Sequence, residues 1–206
     1  ISNVVADLGT RWEVLHVTPK IYQTAGYNCP VIDLMTQIRS RHQLSPSDVA
    51  QITVDMNWLE TLYPSPEFPN TTRNAAGVGS THYFAAYTFV HGFYPPLKAR
   101  IIPDIAGDAE EQQVLNLLQK VEVLGHKDRP AFAPHISIRM VDGTTYEGEY
   151  SGNELEWGLE TEISRISPLF ADMNWPREKL DALVQTVSTL ESLPTIDPMI
   201  QLCVRE

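Results

Sequence analysis

The sequence has 206 residues, of which 43% are hydrophobic and 20% are charged, so it is long enough for one globular domain with an appendage. Its formal net charge of -11 argues against a general nucleic-acid binder, because that role needs a positive surface. The two cysteines fit no metal-ligand or disulfide pattern, and no apolar run reaches the ~18 residues of a membrane span. We therefore expect a soluble, cytoplasmic protein without nucleic-acid or membrane partners.

The first half of the chain contains two predicted strands and one predicted helix. A strand is predicted at 12–17, and alternating apolar and polar residues predict a second at 49–56. Helical spacing of apolar residues predicts a helix at 30–42, which ends before the turn at Ser45-Pro46. Residues 63–79 are rich in Pro, Ser, Asn, Thr and Gly, so we expect a long irregular segment of the kind that often carries function.

The second half begins with helices and continues with a hairpin. Small and aromatic residues at 80–91 fit a buried helix closed by Gly92, and 108–119 is an amphipathic helix with acidic residues in its first turn. Strands are predicted at 121–124, 135–141 and 144–150, and the dipeptide Asp142-Gly143 predicts that a hairpin joins the last two. Helical patterns at 159–170 and 176–190 follow, with Pro176 suited to a first helical position.

These elements predict an α+β fold. We expect a two-layer sandwich, with a mainly antiparallel sheet covered by helices, at 1–158 and a C-terminal helical tail at 159–206. The tail carries apolar stripes that a small domain is not large enough to cover, so it should expose apolar surface and seek a partner.

The sequence contains no standard nucleotide, zinc or nucleophile-elbow motif, which leaves proton chemistry by side chains or no chemistry. We therefore expect neither a cofactor nor a metal. Lys20, at a strand-to-loop edge, is placed to hold a substrate carboxylate, although a solvated lysine is the simpler interpretation. Arg73 is a candidate anion ligand and His82 and His91 are candidate acids or bases, with exposed or structural roles as the alternatives. Cys29 fits a buried inert thiol better than a nucleophile.

An ordered series of short segments resembles the MmgE/PrpD (2-methylcitrate dehydratase) family. The series comprises DLGTRWEV at 7–14, KIYQTAGY at 20–27, Ile32-Asp33, LSPSDV at 44–49, ITV at 52–54, Ser80 with Tyr83 and Gly92, VLNLLQKVEV at 114–123, and Asp142-Gly143. The resemblance runs from about 7 to 150 and continues more weakly through the helical tail. It corresponds to the second, smaller domain of these enzymes, which acts as a lid.

The resemblance implies an enzyme that acts on small polycarboxylic acids. Members include 2-methylcitrate dehydratases, cis-aconitate decarboxylases and iminodisuccinate epimerases, whose sites lie between an all-helical domain and the lid. The implied reaction is proton abstraction next to a carboxylate, by a lyase (hydro-lyase or decarboxylase) or an epimerase. Lys20 matches the family's site lysine and is the expected catalytic residue, stabilising a carboxylate or its enolate. Tyr27, Arg73, Ser80 and His82 are the expected substrate-binding residues.

The resemblance also implies partners. The expected partners are the substrate, a helical domain of the same enzyme, without which the chain should be inactive, and further copies in a homo-oligomer. Cys29 stands where the family commonly has a histidine, and Val78 where a basic residue is frequent. These departures allow the alternative, a non-catalytic binding or assembly module that retains the lid fold.

Overall fold

The computed structural model describes residues 10, 20–22, 24–62, 80–94, 109–169 and 176–204. The chain divides into two compact units, Ile1–Glu156 and Trp157–Glu206, close to the division expected after residue 158. The predicted strand at 12–17 and the predicted irregular segment at 63–79 lie outside the described residues.

The first unit contains a four-stranded mixed sheet. Its strands are β1 (Val49–Asn57), β2 (Val121–His126), β3 (His135–Met140) and β4 (Thr145–Glu149), in the spatial order β2-β1-β3-β4. β1 pairs in parallel with β2 and antiparallel with β3, and β3 pairs antiparallel with β4. The fold is therefore α+β with a mainly antiparallel sheet, as the sequence predicts.

Two helices, α1 (Asn28–His42) and α3 (Thr81–His91), pack on one face of this sheet. A Cβ added to Gly148 of β4 would lie 2.8 Å from Leu34, which shows how closely α1 approaches the strand. The short helix α2 (Trp58–Leu62) follows β1 directly, and α4 (Ala109–Leu118) packs on α3. The sequence analysis did not predict α2.

The alternating burial of side chains along β1 explains why this strand is predicted correctly from its sequence. Val49, Ile52, Val54 and Met56 are buried, whereas the residues between them are half-buried. Strand side chains alternate between faces, so one face of β1 contributes to the core and the other is polar. Ile136 and Ile138 of β3 continue the apolar face across the sheet.

The hairpin at Asp142-Gly143 is confirmed. Gly143 has φ of 89°, a conformation that glycine adopts at little cost, and its N–H donates to the carbonyl of Met140 at 3.1 Å. The Asp142 carboxylate accepts the backbone N–H of Thr144 at 2.8 Å, as is typical of a turn with aspartate at this position.

The second unit is helical. It contains α5 (Leu159–Ile166), α6 (Arg177–Ser188) and α7 (Asp197–Cys203), and α6 contacts α7. Pro176 is the N-cap of α6 rather than its first helical residue, and α7 was not predicted. No helix in the described part of the chain is long and apolar enough to cross a bilayer.

Candidate functional site

The N-terminal ends of α1 and α3 lie side by side. The hydroxyl of Thr81, the first residue of α3, donates to the side-chain oxygen of Asn28, the first residue of α1, at 2.7 Å. Further along, the guanidinium of Arg39 in α1 donates to the carbonyl of Val90 in α3 at 3.2 Å. The two helices therefore run in the same direction. We call their paired N-terminal ends, together with residues 20–22 and 24–27 that precede α1, the helix-start site.

Lys20 lies at this site and is exposed. Its charge is close enough to Cys29, the second residue of α1, to lower the pKa of that thiol. Burial acts in the opposite direction and is the larger effect, so the pKa of Cys29 rises to about 11. A thiol with so high a pKa is neutral at pH 7, which supports the interpretation of Cys29 as an inert buried residue.

Tyr27 and Ser80 occupy equivalent positions at the two helix starts. Tyr27 is the N-cap residue of α1 and Ser80 that of α3, and they are 7% and 1% exposed. The hydroxyl oxygen of Ser80 accepts the backbone N–H of Tyr83 at 3.1 Å, so it satisfies one of the unpaired donors of the helix. Tyr27 and Ser80, which are far apart in sequence, thus cap two neighbouring helix starts, and Lys20 precedes the first of these by a few residues.

His82 faces a different region. It lines an open groove of about 610 Å³ beside the edge strand β2, together with Lys120, whose ammonium donates to the carbonyl of Val49 at 2.6 Å. His82 is 8% exposed, and this burial lowers the pKa of its imidazole to about 4. The ring is therefore neutral at pH 7. Neither Lys20 nor Tyr27 lines this groove, so these residues do not share a pocket there.

Of the other two predicted residues, one lies outside the described residues and one lies at the far end of α3. Arg73 lies outside the described residues, as does Val78. His91 is at the last position of α3, where its ring packs on Tyr87 with centroids 4.1 Å apart. That places His91 at the opposite end of the helix from the helix-start site.

A cluster that the sequence analysis missed lies on the polar face of the sheet. One carboxylate oxygen of Asp55 is hydrogen-bonded to Nε2 of His126 at 2.7 Å, and the other is hydrogen-bonded to Nδ1 of His135 at 3.0 Å. Burial alone would raise the pKa of Asp55, but the bonds from the two histidines outweigh it and hold that pKa below its ordinary value. The cluster borders a shallow cleft of about 370 Å³, in which Arg129 also pairs with Glu149 at 2.9 Å.

This cluster depends on strand register. Asp55 is the direct partner of His135 across β1 and β3, whereas His126 belongs to β2, on the other side of β1. The alternation in β1 predicts that Asp55 lies on the polar face, but no local pattern indicates which histidines are its neighbours. Among the described residues, no group of three or more His, Cys, Asp or Glu side chains is arranged to hold a metal ion.

No protein-family model matches the chain, and a search of curated proteins finds no relative. The resemblance to the MmgE/PrpD family therefore depends on the residues quoted above.

Proposed function

We propose that this chain is the small domain of an MmgE/PrpD-like enzyme. Such an enzyme acts on small polycarboxylic acids by removing a proton next to a carboxylate, with dehydration, decarboxylation or epimerisation as the outcome. The observation that carries the proposal is that Tyr27 and Ser80, selected by the resemblance from two separate segments, are the N-cap residues of the neighbouring helices α1 and α3, and that the charge of Lys20 acts on Cys29 in the first turn of α1. The proposed location is the cytoplasm, and no cofactor is part of the proposal.

Lys20 is the central residue of the proposed mechanism. Lys20 is exposed, and the first turn of α1, where its charge acts on Cys29, carries the positive end of a helix dipole. Both features favour a carboxylate at this position. When a proton leaves the neighbouring carbon, negative charge spreads onto that carboxylate, and a fixed ammonium stabilises the enolate that forms.

Among the residues that the structure describes, the helix-start site does not contain a complete set of catalytic groups. Cys29 is neutral, and the oxygen of Ser80 caps α3. A general base must therefore come from elsewhere, and the helical domain of the same enzyme is the proposed source. On this proposal the isolated chain binds acids weakly through Lys20 and does not turn them over.

The second unit supports the expectation of a partner. In this unit Leu180 is buried, but several other large apolar side chains are exposed: Leu159, Val187, Leu190, Ile196, Ile200 and Val204. Exposed apolar residues mark a surface that another protein covers where they form one contiguous patch. The same feature favours the alternative proposal, a binding or assembly module that has lost catalysis and retains its contacts.

A titration with acids and a reconstitution assay test the proposal. Citrate, tricarballylate and oxalate are titrated into the wild-type chain, Lys20→Ala and Lys179→Ala, a matched control in the second unit, by calorimetry. We expect binding that Lys20→Ala weakens at least tenfold and that Lys179→Ala leaves unchanged.

The chain is then combined with the helical domain of an MmgE/PrpD enzyme in D2O, and deuterium incorporation next to the carboxylate is followed by NMR. Binding that needs Lys20 without any exchange would favour the alternative module, and a chain that neither binds nor turns over any acid, with or without the helical domain, would refute the proposed enzyme.

A further inference from the structure

One side of the β2 backbone has no partner strand in the part of the chain that the structure describes. β2 is the terminal strand of the sheet, and it borders the open groove of about 610 Å³. The N–H of Ile52 in β1 donates to the carbonyl of Lys120 at 2.9 Å, in a parallel register that pairs Ile52 with Val121. The even-numbered residues of β2 therefore bond β1. The backbone groups of Val121, Val123 and Gly125 point the other way, toward the open edge.

A strand edge of this kind pairs readily with another strand unless charged side chains or other features protect it. The opposite edge strand, β4, has such protection, because it carries Glu147 and Glu149. An antiparallel copy centred on Glu147 or Gly148 would bring carboxylates directly opposite each other, which is destabilising. β2 carries no such row of like charges, so its edge is the better candidate for pairing.

The side chains of β2 are self-complementary about its centre. Leu124 is the direct partner of Asp55 in β1, so it lies on the polar face of the sheet, where it is 37% exposed. Strand alternation places Glu122 and His126 on the same face, and the amide of Gln51 donates to Glu122 at 3.1 Å. When a second copy runs antiparallel with Leu124 opposite Leu124, Glu122 of each copy lies opposite His126 of the other. A central apolar pair is then flanked on both sides by a carboxylate and an imidazole.

The backbone of β2 favours the same register. Val123 lies opposite Gly125 of the copy, and because both have outward-facing groups, each such pair exchanges N–H···O bonds. Centring the pairing on Val123 would instead place the carboxylate of Glu122 against the apolar Leu124. Centring it on Gly125 would bring Glu122 beside Asp128, a like charge. Of these three registers, the one centred on Leu124 therefore has the best match of side chains.

We infer that β2 is a homodimer interface, at which a second copy of this chain adds its own β2 antiparallel, with Leu124 on the two-fold axis. The two four-stranded sheets then form one continuous sheet, and each copy satisfies the open backbone of the other. A contact along one short strand is small, so the dimer should be reversible and should form at high protein concentration. Lys20 does not line the groove beside β2, so the inference is independent of the proposed function.

Disulfide cross-linking tests the register. Leu124→Cys and Glu122→Cys are each made in a Cys203→Ser background, because Cys203 is exposed, and are oxidised with diamide. In the inferred register the two Cα atoms at position 124 lie about 4.5 Å apart, within the range of a disulfide. Those at position 122 are separated by four residues along the strands, roughly 14 Å. We expect Leu124→Cys to form a covalent dimer at least tenfold faster than Glu122→Cys, and equal rates or the reverse order would overturn the register.

Sedimentation equilibrium between about 10 µM and 1 mM tests the dimer itself. The mass of the wild-type chain should rise from 23.2 kDa toward twice that value. Val123→Pro removes an outward N–H that β1 does not use, so it should weaken the dimer at least tenfold. Val123→Ala keeps that N–H and is the matched control, for which we expect less than a threefold change. Circular dichroism establishes that each variant is folded.

Leu124→Glu is a second disruptive variant, in case Val123→Pro does not fold. It changes an exposed side chain and sets two carboxylates opposite each other on the two-fold axis, so it should also weaken the dimer at least tenfold. A wild-type chain that remains monomeric up to about 1 mM would overturn the inference. A dimer that the folded disruptive variants leave intact would overturn it as well, and would assign self-association to another surface, such as the exposed apolar residues of the second unit.

Discussion

The buried imidazole of His82 makes the stability of this protein depend on pH. In the folded chain burial lowers the pKa of His82 from 6.5 to about 4. Between these two values the unfolded chain binds a proton that the folded chain does not, so stability falls as the pH falls. The stability that the neutral His82 ring contributes is complete above pH 6.5, is lost progressively toward pH 4, and changes no further below that value. Replacing His82 with glutamine should remove this dependence.

The size of the effect follows from the shift. One pKa unit corresponds to about 1.36 kcal/mol, so a change from 6.5 to about 4 corresponds to about 3 kcal/mol of unfolding free energy. Because His82 is only 8% exposed, solvent screening reduces this value little. A loss of that size is a large fraction of the stability of a typical domain.

Urea unfolding at a series of pH values between 4 and 7.5, followed by tryptophan fluorescence, measures the dependence. We expect the wild-type chain to lose about 3 kcal/mol more than His82→Gln over this interval. His42→Gln is the matched control, because His42 is exposed at the end of α1 and its replacement should leave the pH dependence of the wild type intact. NMR titration of the His82 ring gives an independent check. A ring that titrates near 6.5, or an unchanged pH dependence in His82→Gln, would refute the reasoning.

Two further predictions concern buried groups of the first unit. Burial raises the pKa of Cys29 from 9.0 to about 11, which reduces its thiolate fraction about a hundredfold. Because the thiolate is the reactive form and Cys29 is also buried, iodoacetamide should alkylate the exposed Cys203 about a hundredfold faster than Cys29. Peptide mass spectrometry of the native chain measures both rates, and similar rates would show that Cys29 is accessible and ionised. Tyr150→Phe removes the hydroxyl that donates to the buried carboxylate of Asp33, which should lower the unfolding free energy by about 2–3 kcal/mol. Urea unfolding at pH 7 measures this, and an unchanged free energy of unfolding would show that the bond does not stabilise the fold.

Elements with strong local signals were predicted close to their observed bounds. The helix expected at 30–42 is α1 (Asn28–His42), and the helix expected at 80–91 begins one residue later because Ser80 caps it. Gly92 closes that helix with φ of 74°, as expected. Helices α2 and α7 were missed because each has fewer than eight residues, too few for a helical period to be recognised.

The amino-acid sequence alone predicted most of the secondary structure and the fold class, because periodicity, turn residues and helix caps act over a few neighbouring positions. The candidate residues Tyr27 and Ser80 came from the family resemblance. Only the tertiary structure decided which side chains meet. It directed His82 toward β2 and joined Asp55 to two histidines from different strands. Such contacts depend on strand register and helix packing, which are set by the burial of the whole apolar face and not by any local pattern.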